Sequence, residues 1–384
     1  MHPLSPPLSL YVHMPWCVKK CPYCDFNSHG LRGEPPYEAY IDALLSDLDA
    51  DLADFGEAIA GRRIETVFFG GGTPSLFSAA QVARFLDGAR ARIDFAENAE
   101  ITLETNPGTV EHGRFDGYLA AGVNRLSFGI QSFDDDKLRR LGRIHSANEA
   151  SDAVKLAQDA GFERINLDLM YALPGQDLDG AIADVDQAIA LAPSHISHYQ
   201  LTLEPNTAFA ANPPPLPADD DAWAMQEACE ARLAAGGFAQ YEISAYARPG
   251  ERSRHNLNYW RFGDYLGIGA GAHGKISGLD IRRRWKTRHP NAYLTAAGTP
   301  ARIGGDTTVA VADLPFEYML NALRLVDGVD LAEFAQTTGL SLQAIATPLA
   351  EGIRRGWLRD EPGRLHTTPL GQRFLNDVIE SFMA

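Results

Sequence analysis

The chain has 384 residues, with 34 Lys+Arg against 50 Asp+Glu and a formal net charge of −16. Its 45% hydrophobic and 22% charged residues are typical of a globular protein and exclude disorder as the main state. The acidic balance argues against a general nucleic-acid binder, because neutralising phosphates requires an excess of Lys and Arg. No stretch reaches the roughly 18 apolar residues of a membrane span, and residues 1–10 lack a secretory signal pattern. We therefore expect a cytoplasmic protein.

A pattern of one short β-rich run followed by one amphipathic stretch repeats six times over residues 8–204. The spacing of apolar residues in the longer stretches, for example over 40–52, is helical. Strands that alternate with helices predict a parallel sheet covered by helices. The predicted strands are Ser9–His13, Thr66–Phe69, Glu100–Glu104, Arg125–Ile130, Arg164–Met170 and His198–Leu203. Further helices are predicted at about 78–93, 110–121, 147–160 and 178–191.

Six such units form either an open doubly wound sheet or a partial barrel, and the strand ends favour the barrel. Each run has a polar, glycine-rich or cysteine-containing segment at or just beyond its carboxyl end. Convergence of all strands on one rim is typical of a barrel, whereas an open sheet concentrates its site at one switch point. We predict an α/β fold in which a partial (β/α)6 barrel covers residues 1–211.

Two further regions follow the barrel. A proline-rich break at Asn212–Pro217 opens an extension, residues 212–312, with a predicted strand at Phe238–Tyr246. Residues 313–384 read as helix, helix, β-hairpin and helix, which is the order of a winged-helix domain. Because this region has six Arg and no Lys against ten Asp+Glu, we prefer a docking or lid role over DNA binding.

Three of the four cysteines, Cys17, Cys21 and Cys24, lie on one short loop after the first predicted strand. Three thiolates at this spacing can bind three irons of a [4Fe–4S] cluster and leave the fourth iron open to a small molecule. The alternative is a structural zinc site completed by His13 or Cys229. We favour the cluster, because the second C-x2-C pair of most zinc sites is missing, and we expect Cys229 to be a buried thiol on a helix.

The loop resembles that of the radical S-adenosylmethionine (SAM) enzymes. Their C-x3-C-x2-C signature follows the first barrel strand and has an aromatic residue before the last cysteine, a place that Tyr23 fills here. The resemblance implies that Cys17, Cys21 and Cys24 hold a [4Fe–4S] cluster. It also implies that SAM chelates the open iron through its amino and carboxylate groups, and that an electron from the cluster cleaves SAM to a 5′-deoxyadenosyl radical.

Within that superfamily the chain resembles the oxygen-independent coproporphyrinogen III dehydrogenase (HemN-like) group. The matches are Tyr11–Cys17 (YVHMPWC), Gly70–Pro74 (GGGTP), Glu104, Gly129–Phe133 (GIQSF), Arg143 and Asp168. Glycines allow close backbone approach to SAM, a carboxylate can accept hydrogen bonds from ribose hydroxyls, and an arginine suits a carboxylate. The SAM-binding residues predicted on this basis are Tyr11, Tyr23, Gly71, Gly72, Thr73, Glu104, Gln131, Arg143 and Asp168.

This group contains the dehydrogenase and a subfamily of haem chaperones, HemW, and three features favour the chaperone. The dehydrogenase has one more cysteine two residues after the third, where this chain has Phe26, and it has a longer segment before the cysteines. The chaperone subfamily also carries H-N-x-x-Y-W, present here as His255–Trp260. In that segment His255 can ligate haem iron, and Tyr259 and Trp260 can pack on a porphyrin. The alternative is a loop with local hydrogen bonds and core aromatics.

One dense basic run, Ile281–Arg288, stands out in the acidic chain. If it is a strand, its cations at 282, 284, 286 and 288 share one face. We expect a solvated strand face, with haem propionates or an acidic partner as the alternative.

The function predicted from the sequence is that of a radical-SAM-type haem chaperone. It would bind a [4Fe–4S] cluster, SAM and haem, and deliver haem to apo haemoproteins such as respiratory enzymes, with membrane contact only through a partner. One alternative is an enzyme, the dehydrogenase that oxidatively decarboxylates coproporphyrinogen III to protoporphyrinogen IX. The other is a zinc-stabilised binding scaffold.

Overall fold

A computed structural model describes residues 5–109 and 114–383 of the chain. The strands are β1 (Leu8–Met14), β2 (Trp16–Cys17), β3 (His29–Gly30), β4 (Ile64–Gly71), β5 (Phe95–Thr105), β6 (Arg125–Gln131), β7 (Ile165–Tyr171), β8 (His195–Gln200), β9 (Ala239–Glu242), β10 (Ala245–Ala247), β11 (Asp264–Ile268), β12 (His273–Ser277), β13 (Ile281–Lys286), β14 (Ile303–Thr308), β15 (Val329–Asp330) and β16 (Arg364–Leu365).

The helices cover both the crossovers between strands and most of the C-terminal part. They are α1 (Tyr37–Asp54), α2 (Gly56–Ile59), α3 (Ala79–Arg90), α4 (Arg114–Ala120), α5 (Asp135–Arg140), α6 (Ala147–Asp159), α7 (Leu178–Ala190), α8 (Ala208–Ala211), α9 (Asp219–Ala235), α10 (Arg254–Trp260), α11 (Pro290–Ala296), α12 (Leu314–Ala322), α13 (Leu331–Thr338), α14 (Ala346–Arg354), α15 (Pro369–Arg373) and α16 (Leu375–Glu380). The first part of the helix predicted at 110–121 lies outside the described residues. Within the described ranges, no helix has the length and apolarity needed to cross a membrane.

Twelve strands form one sheet in the order β14-β13-β12-β11-β1-β4-β5-β6-β7-β8-β10-β9. Strands β1 and β4 to β8 run parallel in chain order, as the alternation of strands and helices predicts. The first and last of these six pair with β11 and β10, and not with each other, so the sheet does not close. The predicted α/β class with a partial, six-unit barrel is therefore confirmed, and all six carboxyl ends lie on one rim.

Helix boundaries follow local capping chemistry, which explains why they were predictable. Ser78 and Ser146 each begin a helix with a reciprocal capping box, in which the serine accepts from a backbone N–H three residues on. Asp330 caps α13, and Gly339 ends it at φ +73°, a left-handed conformation that favours glycine.

Two strand predictions are wrong in their extent. The sixth parallel strand is His195–Gln200 and not His198–Leu203, because its partner β7 ends at Tyr171 and the chain turns away beyond that residue. The single strand predicted over 238–246 is a hairpin. Its turn is closed by Ser244, whose backbone N and Oγ both donate to Glu242 Oε1 at 3.0 and 2.9 Å.

The edge strands β11 to β14 are fixed to the barrel by a buried ionic network. Lys286 and Arg284 on β13 point at carboxylates of α1, with Lys286 Nζ 2.8 Å from Asp51 Oδ2 and Arg284 Nη1 2.8 Å from Asp51 Oδ1. Arg302 joins the same carboxylates. The expected solvated strand face is therefore wrong at Arg284 and Lys286, because these two cations neutralise buried carboxylates.

The C-terminal part packs around its own apolar cluster, which includes Tyr318, Phe334 and Val378 and also takes in Phe262 from the preceding region. The predicted hairpin after the second helix is reduced to one bridge between Leu358 and Thr367, and β16 pairs instead with β15. The boundaries at 211 and 312 stay predictions.

Candidate functional site

A cavity of about 400 Å³ opens at the carboxyl ends of the parallel strands. We call it the cysteine cavity. Every one of the six parallel strands, or the loop that follows it, contributes to its wall. The predicted residues that line it are Cys17, Cys21, Tyr23, Cys24, Gly71, Gly72, Thr73, Glu104, Gln131, Arg143 and Asp168.

The three cysteines on the first loop are free thiols and partly buried. A turn in which Cys24 N donates to Cys21 O at 3.2 Å curls the loop, and pairing of β2 with β3 holds its start. Burial raises the pKa of the Cys17 thiol, a cost that binding to a metal centre offsets. Across the described residues, no three His, Cys, Asp or Glu side chains are arranged to hold a single metal ion.

The glycine segment at the end of β4 packs directly on the cysteine loop. Gly72 N donates to Met14 O at 2.8 Å, and Thr73 N donates to Trp16 O at 2.7 Å. A Cβ on Gly72 would lie 2.6 Å from Trp16 O, and one on Gly71, which has φ +110°, would lie 2.3 Å from the His13 ring. Only glycine allows this approach, so the backbone itself forms a wall of the cavity.

Two buried carboxyl groups face the same space. Glu104 Oε2 accepts from Gly71 N at 3.1 Å, and burial together with the charge of Asp168 raises the pKa of Glu104 from 4.5 to about 8. Asp168 accepts from Asn166 Nδ2 at 2.8 Å and from Ser127 Oγ at 3.2 Å, and burial raises its pKa as well. These carboxyl groups suit a ligand that brings hydroxyl or ammonium donors.

Arg143 and Gln131 also line this cavity. Arg143 Nη2 donates to Gly129 O, Nη1 lies 3.7 Å from Cys21 Sγ, and Nε is buried without a hydrogen-bond partner among the described residues. Gln131 ends β6 in a left-handed conformation, φ 72°, and its Oε1 accepts from Tyr199 OH at 3.0 Å. Strained backbone of this kind is concentrated at functional sites. Together these groups offer one cation and one amide to a polar ligand.

A second cavity, of about 570 Å³, adjoins the first. We call it the aromatic cavity. Phe26, Gly71 and Glu104 line both cavities. Its other walls come from β1, α10 and the strands β11 to β13. The side chains that line it include Tyr11, His13, Tyr259, Trp260, Phe262, Tyr265, His273, Lys275, Arg283 and Arg288.

The structure divides the predicted residues between these two cavities. Tyr11, predicted to bind SAM, lies in the aromatic cavity, where its hydroxyl is 3.0 Å from His13 Nδ1. Tyr259 and Trp260 also line the aromatic cavity, whereas His255 lines neither. The ligand assignments of these residues stay predictions.

The segment His255–Trp260 is a helix, not a loop, and its histidine is buried. His255 is 1% exposed, and its two ring nitrogens lie 2.7 Å from Thr66 Oγ1 and 2.8 Å from Tyr259 OH. Asn258 Nδ2 donates to Ser9 Oγ at 2.9 Å. The helix thus closes the barrel interior with its polar residues and presents Tyr259 and Trp260 to the aromatic cavity.

Sequence reasoning missed several residues that line the two cavities. Tyr199 was within a predicted strand, and its hydrogen bond to Gln131 depends on two strands distant in the chain. His273 was within a glycine-rich stretch with no recognised pattern. The strand β12, which His273 begins, was not predicted from the sequence.

Comparisons with known proteins identify the family of the chain. The sequence profile of the Radical SAM superfamily matches residues 11–188, and that of the HemN C-terminal domain matches residues 309–374. The chain is 50% identical to the Heme chaperone HemW of Escherichia coli (strain K12) over 381 residues, which cover 99% of each chain. It is 33% identical to the Heme chaperone HemW of Bacillus subtilis (strain 168) over 382 residues, 98% of this chain and 99% of the relative.

A solved structure gives the same fold. Coproporphyrinogen III oxidase (HemN) from Escherichia coli, described as a radical SAM enzyme, superposes with a TM-score of 0.82 over 98% of this chain and 90% of its own. The two sequences are 23% identical, so this likeness shows the fold alone.

The raised pKa of Glu104 predicts a pH dependence of stability in the cluster-free protein. The folded protein holds the proton up to about pH 8, while the unfolded chain releases it near 4.5. The contribution of this proton to the free energy of unfolding is therefore fully present below pH 4.5 and is lost as pH rises towards 8. Glu104→Gln should remove that loss. The free energy of unfolding of the variant, measured in urea, should therefore rise relative to that of the parent as the pH increases.

The matched control is Glu97→Gln, on the exposed part of the same strand. It should follow the parent at every pH. Parallel pH profiles for Glu104→Gln and the parent would contradict a protonated Glu104 in the fold.

Proposed function

We propose that this chain, which belongs to the heme chaperone HemW family of the radical SAM superfamily, binds a [4Fe–4S] cluster, SAM and haem and delivers haem to apo haemoproteins. Identity of 50% over 99% of the chain to a heme chaperone carries the proposal. The two adjoining cavities support it, because they offer separate places for a cofactor and a cargo.

Cys17, Cys21 and Cys24 would hold the cluster. Their thiols line one cavity and come from one short loop, which supports a shared cluster. Cys229 is 0% exposed on α9 and does not line the cysteine cavity, so it is not a fourth ligand there. When bound, the cluster would supply an open iron for SAM and an electron for its reduction.

SAM would occupy the rest of the cysteine cavity. The backbone of Gly71–Thr73 lines the cavity without intervening side chains at the glycines, and Glu104 offers its carboxyl group to hydroxyl or ammonium donors. The buried Nε of Arg143 has no partner among the described residues and suits an anionic group. Gln131, Asp168 and Tyr23 complete the set of side chains available to the ligand. Tyr11 would act only from the neighbouring cavity.

Haem would be cargo. Tyr259 and Trp260 give the aromatic cavity a face on which a porphyrin can pack, and His255 holds Tyr259 in place through the 2.8 Å contact with its hydroxyl. The recipients would be apo haemoproteins such as respiratory enzymes, and any membrane contact would come from them. The C-terminal region, matched by the HemN C-terminal profile, is available for docking.

One observation keeps the dehydrogenase as a second candidate. The profile of the HemN C-terminal domain matches residues 309–374 of this chain. At the position of the dehydrogenase's further cysteine, however, this chain has Phe26, which is 61% exposed and lines both cavities. A bulky apolar side chain at that place favours a cavity wall for a flat ligand over a further thiol.

The cluster assignment predicts that substitution of the three loop cysteines and substitution of Cys229 have different effects on the cluster. Cys17→Ala, Cys21→Ala or Cys24→Ala should abolish the visible absorbance of the anaerobically reconstituted cluster, whereas Cys229→Ala should retain it. Iron and sulfide analysis of the same samples checks the loss. Zinc without sulfide in the parent protein, or loss of the cluster in Cys229→Ala, would contradict the ligand set.

Haem delivery tests the function itself. The haem-loaded chain, mixed with an apo haemoprotein and separated again, should transfer haem that appears in the acceptor's absorbance spectrum. Haem-loaded serum albumin is the control for passive release. Transfer no faster than from albumin would contradict a chaperone.

A further inference from the structure

Neutral side chains hold Asp168, one of the carboxyl groups in the wall of the cysteine cavity. Asn166 Nδ2 donates to its Oδ1 at 2.8 Å, and Ser127 Oγ donates to its Oδ2 at 3.2 Å. Burial raises the pKa of Asp168, and the hydrogen bonds from Asn166 and Ser127 and the charge of Arg125 act against that rise. The orientation of this carboxyl group therefore depends on an amide and a hydroxyl group.

The amide of Asn166 can hold the carboxyl group in only one orientation. Its Nδ2 donates both to Asp168 Oδ1 and to Ser127 Oγ, each at 2.8 Å. Its Oδ1 lies 2.6 Å from His195 Nδ1 and accepts from Ser197 Oγ at 3.1 Å. A flipped amide would turn its oxygen towards the carboxyl group, so that two acceptors would meet. The donors that face Oδ1 therefore decide how Asp168 is held.

His195 is the rigid donor on that side. It is 0% exposed, and its Nε2 lies 2.8 Å from the hydroxyl of Tyr241. Because Asn166 Oδ1 only accepts, Nδ1 carries the proton and Nε2 accepts from the tyrosine. Burial, followed by the charges of Arg125 and Arg164, lowers the pKa of His195 well below 6.5, so the ring stays neutral. Both ring nitrogens are held, whereas a serine hydroxyl can rotate.

Tyr241 on β9 fixes this tautomer. Its ring lies edge-on to that of His195, with centroids 5.6 Å apart and an interplanar angle of 70°. The hydroxyl accepts from Ser253 N at 3.3 Å, which leaves its own proton to point at His195 Nε2. The carbonyl of Tyr241 accepts from Val326 N at 3.1 Å, so the backbone is held as well. The hydrogen bonds thus run in one direction, from this tyrosine through the imidazole and the amide to the carboxyl group.

We propose that His195 is a positioning residue for SAM binding. Its Nδ1–H fixes the amide of Asn166, and that amide fixes the carboxyl group of Asp168. The inference rests on the proposed function, which places SAM in the cysteine cavity with Asp168 among its contacts. His195 itself does not line that cavity, so it acts on SAM through these two side chains.

The test is the dissociation constant of SAM, measured by equilibrium dialysis on the full-length chain with its cluster reconstituted anaerobically. His195→Asn keeps an amide N–H near the place of Nδ1 and should bind SAM within about twofold of the parent. His195→Gln moves the amide one methylene further, towards Tyr241, and removes the donor to Asn166. It should bind SAM about tenfold more weakly. Iron and sulfide contents are matched between the samples.

A coupling experiment distinguishes positioning from a general loss of structure. Asp168→Ala should itself weaken SAM binding about tenfold. Because His195 acts through that carboxyl group, His195→Gln should add little further loss in the Asp168→Ala background, whereas independent effects would multiply.

The matched control is His198→Gln on the same strand. Its side chain lies on the opposite face of β8 and stacks on Tyr171, with ring centroids 4.7 Å apart. This histidine does not line the cysteine cavity, and the variant should bind SAM like the parent.

The outcomes separate the inference from the proposed function. A reconstituted parent that does not bind SAM would overturn both. Full SAM affinity in Asp168→Ala would remove Asp168 from the site and overturn the inference. If the parent binds SAM, parental affinity in His195→Gln, or equal losses in His195→Gln and His195→Asn, would overturn the inference alone. A His195→Gln loss of the same size with and without Asp168 would do so too.

Discussion

The close packing of the β4 end on the β1 end is the constraint on which the site depends. Gly72 and Thr73 donate to backbone carbonyls on either side of Pro15, and no side chain fits between the two segments. This contact fixes the cysteine loop against the barrel rim. It also brings Gly71 N to the carboxyl group of Glu104. The carboxyl groups, the thiols and the buried Arg143 converge because parallel pairing places every strand's carboxyl end on the same edge.

The same packing creates two cavities instead of one. Gly71 and Glu104 form part of the partition between them, and Phe26 stands at their common edge. In the proposed function the cofactor and the cargo would therefore be neighbours, in contact with the same carboxyl group and the same loop. A change in the protonation of Glu104, whose pKa is raised to about 8, would change the charge on the walls of both cavities. In the proposed function, this arrangement would connect the loop that holds the cluster to the cavity that holds the cargo.

Local chemistry explains most of what the sequence predicted. Five of the six predicted barrel strands and the helices predicted at about 78–93 and 147–160 are found in the structure, because neighbouring residues such as the capping serines Ser78 and Ser146 decide them. The spacing of the cysteines and the position of Glu104 and Asp168 at strand ends were enough to place them near one another.

What the sequence did not reveal depends on partners far along the chain. The basic run looked solvated because its carboxylate partners on α1 are more than 200 residues away. The burial of His255 follows from Thr66 and Glu100 on the barrel strands, which its own segment does not indicate. Pairwise contacts of this kind are invisible to periodicity and spacing.

The most direct test of a chaperone as opposed to an enzyme is an anaerobic incubation of the reconstituted chain with coproporphyrinogen III, SAM and a reductant, followed by mass spectrometry. Cluster content and SAM binding are verified in the same sample. The account predicts no decarboxylated porphyrinogen. Multiple turnovers to protoporphyrinogen IX, with 5′-deoxyadenosine formed in step, would contradict it and make the chain a dehydrogenase.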